Sequence, residues 1–216
     1  MYNLKMTTEQ KILERIARHL FRYGFSSLTM EGAARYAQVS KRTLYKHFPC
    51  KDALLLAAFD FQISRFAAIL ASIVNDGTHD CVDRLSTAIS YLADLTQRLP
   101  PVLMRDMVQD DRHYWDAVQK IRKERIYPLF EKLLHDAGKD GLIRGDVDPR
   151  LLTALLLSSV EAIATPMSIS SYNFETREII GGLMTMIFRG ILSDAGRSSL
   201  DATEPVSHVG ALEALL

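Results

Sequence analysis

VSKRTLYKHFPCKDAL, residues 39–54, places Lys41, Arg42, Lys46, His47 and Lys51 within a dozen positions of a chain whose formal net charge is +0. Ser40 has the chemistry of a helix N-cap, and Pro49 ends whatever helix follows. It has no backbone N–H and forces the residue before it towards extended backbone. The segment between them, residues 41–48, can be laid out at about 100° per residue. With Leu44 at the origin, Phe48 falls about 40° away, while Arg42 and Lys46 fall about 160° and 200° away. One face is apolar. The opposite face carries Arg42 and Lys46, flanked by Thr43 and Tyr45.

The residues upstream give that helix something to pack on. Residues 8–23 carry an apolar stripe of Ile12, Leu13, Ile16, Ala17 and Leu20, and Gly24 stops it. Thr29 is placed to cap a short helix through about residue 37, and Gln38-Val39 make a tight break. This is a short helix, a turn and a second short helix with a basic front, the arrangement a major-groove reader requires. Charge agrees. Residues 1–51 hold ten Lys/Arg and three Asp/Glu, a net of +7, so the remainder carries −7. A basic head on an acidic body suits a polyanionic partner for the head. An amphipathic helix with a solvated basic face is the plainer account of Arg42 and Lys46. It does not explain the helix-turn-helix spacing.

With these residues in hand, the chain from Ile12 to Leu56 resembles the DNA-binding domain of the TetR family of bacterial transcriptional regulators. LFRYGFSSLTMEGAARYA (residues 20–37) and VSKRTLYKHFPCKDAL carry the resemblance. It implies an all-α homodimer: an N-terminal three-helix helix-turn-helix head and a C-terminal helical bundle for ligand binding and dimerisation. It further implies a palindromic double-stranded operator and a small-molecule effector. By the same resemblance, Thr29 starts the helix that abuts the DNA backbone. Ser40, Lys41, Arg42, Thr43, Tyr45, Lys46 and His47 lie on or near the recognition helix, and Lys51 touches phosphate. Two positions depart from the family pattern. Gln38 stands where the turn often carries Gly, which costs stability if that residue needs positive φ. Cys50 stands where a serine would cap the next helix; a Ser-like substitution accounts for it, with thiol redox chemistry as the competing reading.

Helical periodicity continues to the end, with no convincing alternating strand. Helices are expected over residues 51–74, 81–99, 102–108, 115–137, 149–167 and 175–192. The expected domains are 1–52, the DNA-binding head; 53–193, the ligand-binding and dimerisation body; and 194–216, a mixed, mobile tail. The helix through residues 151–167 is apolar almost all round, and Ile179, Ile180, Leu183, Met184, Ile187 and Ile191 make a broad stripe on the last one. The resemblance assigns these two helices to a four-helix bundle across a two-fold axis. An effector pocket between residues 51 and 137 has Phe59, Ile63, Phe66, Tyr91, Met104, Met107, Trp115 and Phe130 as candidate lining. Met and aromatic side chains suit an adaptable apolar site, and at helical spacing they equally make ordinary core.

Other classes receive less support. No apolar run is expected to span a bilayer, and the N-terminus lacks an export h-region. Two cysteines, Cys50 and Cys81, make no disulfide framework, so a reducing cytoplasm is the expected compartment. The six histidines show no metal-ligand spacing, His79 and Cys81 form only an isolated pair, and there is no phosphate loop or nucleophile elbow. No cofactor, no metal and no catalytic residue is therefore expected. Asp110, Asp111, His113 and Trp115 are the residues from which acid–base chemistry would have to be built. The competing function is a helical small-molecule-binding or catalytic protein whose basic head does not read DNA.

Overall fold

A computed structural model describes residues 6–97, 100–109, 113–163, 182, 186, 190 and 192–202. Its helices are α1 (Thr8–Tyr23), α2 (Met30–Ala37), α3 (Lys41–His47), α4 (Lys51–Val74), α5 (Cys81–Gln97), α6 (Pro101–Gln109), α7 (His113–Arg125), α8 (Tyr127–Lys139), α9 (Pro149–Ile163) and α10 (Asp194–Ala202). Among the described residues the only β-type pairing is an isolated antiparallel bridge, Ile143 with Leu192. The chain is all-α, as its periodicity predicts.

The backbone divides into two units. One gathers the residues up to Arg65 together with Pro100–Ile121; the other gathers Phe66–Leu99 and the residues from Arg122 on. The first unit is built around the apolar stripe of α1. Ile12, Ile16 and Leu20 are buried with Phe25, Leu28, Ala33, Ala34 and Ala37, and Leu44 and Phe48 join them from α3 and its C-cap. Leu54, Leu55, Ala58 and Phe59 of α4 belong to the same core, as do Leu103 and Met107 of α6 and Tyr114 of α7. Phe25 meets Phe59 and Tyr114 edge-on, with centroids 5.8 and 5.0 Å apart, which is the favoured quadrupole geometry.

Each helix of the head is closed by its own chemistry. Thr7 and Gln10 form a reciprocal capping box at the start of α1. Thr29 Oγ1 accepts from Gly32 N–H (3.1 Å), and Ser40 Oγ accepts from Thr43 N–H (3.0 Å). Gln38 ends α2 in the left-handed region (φ 53°, ψ 45°). Gln38 N–H donates to Arg35 O (3.1 Å) and Val39 N–H to Ala34 O (3.0 Å). This is a Schellman-type stop, and it normally favours glycine. Phe48 is extended (φ −133°, ψ 106°), as a residue before proline must be.

In the second unit Phe66, Leu70, Ile73 and Val74 of α4 are buried, with Leu85 and Ala88 of α5, Phe130, Leu133 and Leu134 of α8, and Leu152, Leu156 and Leu157 of α9. Arg84 reaches from α5 to the end of α4, donating to Val74 O at 2.9 Å, with Asp136 of α8 at 3.7 Å.

Three expectations need correction. The single helix expected over residues 115–137 is two, α7 and α8, with Ile126 between them. Pro128 sits in the first turn of α8, where its missing N–H costs nothing; further into a helix its ring would clash with the carbonyl four residues back. The mixed segment from residue 194 begins as α10. Ser193 accepts from Gly196 N–H (3.0 Å), and Ser193 N–H donates to Leu142 O (2.9 Å). Finally, α4 does reach spanning length: 24 residues, with a window of mean hydropathy 1.6. Half of that window is buried, its apolar side chains being those that fill the cores just described. The helix expected over residues 175–192 lies outside the described residues, apart from positions 182, 186 and 190, which are helical, and Leu192.

Two glycine-type positions give opposite predictions. Gly24 (φ 72°, ψ −164°) occupies a region essentially closed to other residues, and a Cβ there would collide with Asp106 Oδ2. Gly24→Ala is expected to cost about 2 kcal/mol or more, lowering Tm by roughly 4–8 °C. Gln38→Gly should instead raise stability by about 0.5–1 kcal/mol, because it relieves a left-handed side chain. Chemical denaturation of each variant checks both signs.

Candidate DNA-binding face

The α3 helix is seven residues long, too short to persist alone, so tertiary contacts must hold it. Leu44 and Phe48 supply them from one side. On the other, Arg42 and Lys46 are exposed, and Tyr45 is 50% exposed. Thr43 is half-buried; its hydroxyl lies 2.8 Å from that of Ser40, so both hydroxyls serve the start of the helix. The helix has no acid in its first turn, and Lys46 and His47 in its last turn complement its dipole.

Three other expected contact residues are engaged by the protein itself. Lys41 Nζ pairs with Glu31 Oε1 of α2 at 3.0 Å, and both side chains are exposed. The hydrogen bond and charge of Lys41 hold the Glu31 carboxyl below the usual carboxylate range. His47 Nδ1 lies 3.6 Å from Glu9 Oε2 of α1. Lys51 Nζ donates to Ser26 O at 3.0 Å. Thr29 is exposed at the start of α2, its hydroxyl committed to the cap. Thus Ser40, Lys41, Arg42, Thr43, Tyr45, Lys46 and His47 are gathered on one short helix and its cap, while Thr29 and Lys51 stand at the starts of the helices on either side. Glu31 and Glu9 were not legible as partners. Each is remote in sequence from its partner and reads as an ordinary first-turn acid. Cys50 is exposed, and its carbonyl accepts from Leu54 N–H (3.2 Å).

The eight candidate pocket residues fall into both units. Phe59 and Met107 are buried in the first unit's core with Trp115 packed against it, and Ile63 and Met104 are buried in the same unit. Phe66, Tyr91 and Phe130 are buried in the second, where Tyr91 Oη donates to Phe66 O (3.3 Å) and burial pushes its phenol pKa up. A pocket in the second unit is lined by Ser72, Ile73, Asp76, His79, Asp83, Arg84 and Thr87, none of them among the eight. There Asp76 accepts from Thr78 and contacts His79 Nδ1 at 2.8 Å, and these hydrogen bonds bring its pKa to about 2. Cys81 is buried, and its thiol is pushed up to about 11 by desolvation. His113 is exposed and packs edge-on against Tyr114 (5.2 Å); Asp110 and Asp111 lie outside the described residues.

Two substitutions probe this face. Tyr45→Phe should weaken binding to every duplex by roughly tenfold, the worth of one charge-assisted hydrogen bond from a hydroxyl to a phosphate. Unchanged affinity in a fluorescence-anisotropy titration would remove that role. Glu31→Gln frees Lys41 from its carboxylate, so affinity for non-specific duplex should rise and its salt dependence steepen.

Residues 12–58 match the family described as bacterial regulatory proteins, tetR family. Over 186 residues the chain is 23% identical to an uncharacterised HTH-type transcriptional regulator, YvaF, of Bacillus subtilis (strain 168), covering 86% of this chain and 96% of that one. Among solved structures, SmeT, the repressor of the Stenotrophomonas maltophilia multidrug efflux pump SmeDEF, is similar with a TM-score of 0.66 at 18% identity, over 94% of this chain and 98% of SmeT. FadR of Bacillus subtilis, solved with stearoyl-CoA, is similar with a TM-score of 0.63 at 16% identity, over 84% of this chain and 98% of FadR. The structural likeness extends the fold beyond the head, and it is the helix-turn-helix segment, residues 12–58, that matches the tetR family of bacterial regulatory proteins.

Proposed function

We propose that the protein is a homodimeric, cytoplasmic transcriptional repressor that reads a palindromic operator and is released by a small-molecule effector. The observation that carries the reading is the split of α3. Leu44 and Phe48 are buried, while Arg42, Tyr45 and Lys46 stand exposed on a helix capped by Ser40. Arg42 and Lys46 make no ion pair among the described residues, so their donors are available for base edges and phosphates. Lys41, His47, Thr29 and Lys51 support them at the backbone, with the acids on Lys41 and His47 exchanged for phosphates.

A dimer is supported by α9. Its Leu152, Leu156 and Leu157 are buried within the second unit, yet Leu151 and Leu155 are 59% and 55% exposed one turn apart. Met186, itself at a helical position, is 70% exposed. A second apolar face on a helix already packed on its first suits a partner copy. Two such heads would meet successive major grooves roughly 34–36 Å apart. An effector that prefers a different spacing of the two heads lowers operator affinity by its differential affinity for the two states. A TetR-like structure of the same fold holds stearoyl-CoA, so acyl thioesters are the first effector class to screen. The proposed mechanism assigns the chain no catalytic step.

The test is selection of bound sequences from a random duplex pool at near-physiological salt, with the wild type and with Arg42→Ala/Lys46→Ala. A palindrome enriched by the wild type and lost by the double variant is the expected outcome. Weak, salt-sensitive binding without enrichment would remove the operator reading and favour a small-molecule-binding or catalytic protein. Arg42→Ala alone should relax preference at one base pair per half-site; a uniform loss over all sequences would make Arg42 a backbone contact instead.

A further inference from the structure

Asp106 of α6 is a charged residue with 1% exposure. A carboxylate without water persists only where donors replace its hydration. Here the donors are two consecutive backbone amides of the α1–α2 turn. Phe25 N–H and Ser26 N–H donate to Asp106 Oδ2 at 2.7 and 3.0 Å. Arg105 Nε stands 3.9 Å from the other oxygen. The turn can come this close because Gly24 has no Cβ and takes a backbone conformation open to glycine.

The contact does not end at the turn. The carbonyl of Ser26, the residue whose N–H Asp106 holds, accepts from Lys51 Nζ at 3.0 Å. Lys51 is the first residue of α4, directly after the short break that follows α3. An ammonium has three N–H donors, so the bond to Ser26 fixes its place and leaves two for a ligand. A buried carboxylate therefore orients a peptide, and that peptide orients a cation beside the recognition helix. The chain of bonds lies within one unit of the structure.

We propose that Asp106 is a positioning residue for DNA binding: through the Phe25–Ser26 turn it holds the Lys51 ammonium where it meets an operator phosphate. This rests on the DNA-reading function proposed above and adds a residue that the helix-turn-helix itself does not contain. Asp106 touches no DNA. It removes the freedom of a lysine that would otherwise lose side-chain entropy on binding.

A purely structural carboxylate would change stability without changing the way binding depends on salt. The test is therefore operator affinity over a range of salt, with the full-length protein and the operator obtained from the selection, at a temperature where melting curves show every variant folded. Lys51→Met should lower affinity roughly tenfold, as loss of a charged hydrogen bond does, and reduce the slope of log K against log[salt] by about 0.9. Asp106→Asn keeps the shape and an acceptor but loses the charge. It should weaken binding in the same direction with a smaller slope, and Asp106→Asn/Lys51→Met should bind no worse than Lys51→Met alone. If Asp106→Asn melts below the assay temperature, Asp106→Glu replaces it with the same expected non-additivity. Wild-type affinity and slope in the folded Asp106 variant would overturn the proposal, as would a double variant whose loss is the product of the two single losses. A wild type that enriches no operator fails earlier, at the DNA-reading function itself. The two failures are therefore distinct.

Discussion

A seven-residue helix cannot hold itself together in water, and everything this protein presents on α3 depends on two side chains that pin it. Leu44 and Phe48 enter the core shared by α1, α2 and α4. Ser40 and the left-handed stop at Gln38 fix where the helix starts, and Pro49 fixes where it ends. The front is then determined: once Leu44 points inward, helical geometry leaves Arg42 and Lys46 outward. The basic front and the buried anchor of the head thus lie on opposite faces of one short helix and its C-cap.

Electrostatics around the face are less one-sided than the excess of lysine and arginine suggests. Glu31 lies against Lys41 and Glu9 against His47, whereas the Ser26 carbonyl holds Lys51 with two donors still free. The Lys41–Glu31 pair, exposed on both sides, contributes little to stability. Under the proposed function the pair matters for recognition, since a phosphate must outcompete the Glu31 carboxylate for Lys41. Binding under that function then relies more heavily on Arg42, Tyr45 and Lys46, which stand exposed on α3.

What the sequence disclosed and what it withheld follow from range. Caps, stops and stripes are local, so the ends of α1, α2 and α4 could be read from Gly24, Thr29, Lys51 and the apolar spacing. The positive φ at Gln38 is legible only as a condition, from the resemblance, whose pattern often places Gly at this turn. The break at Ile126 was locally marked by Pro128 but masked by apolar periodicity on both sides. The side-chain pairing of Glu31 with Lys41 and the burial of Asp106 were out of reach, because they join segments that only the folded chain brings together. Asp106 reads as one more charge in MRDMVQ. Nothing local marks it as the acceptor for a turn about eighty residues away. The pocket candidates show the same limit from the other side, since apolar side chains at helical spacing look alike whether they face a ligand or a neighbour.

The head's core is assembled from two separated stretches of chain, the residues up to Arg65 and Pro100–Ile121. During synthesis this sets an order of events. A ribosome that has released residues 12–58 has delivered the complete helix-turn-helix motif but not Leu103, Asp106, Met107 or Tyr114, which finish its core and bond its turn. At about 5–20 residues per second the gap lasts several seconds. Through that interval the apolar faces of α1 and α4 remain open, exposed to chaperones and to other nascent chains. The motif becomes a settled head only when residue 121 has emerged.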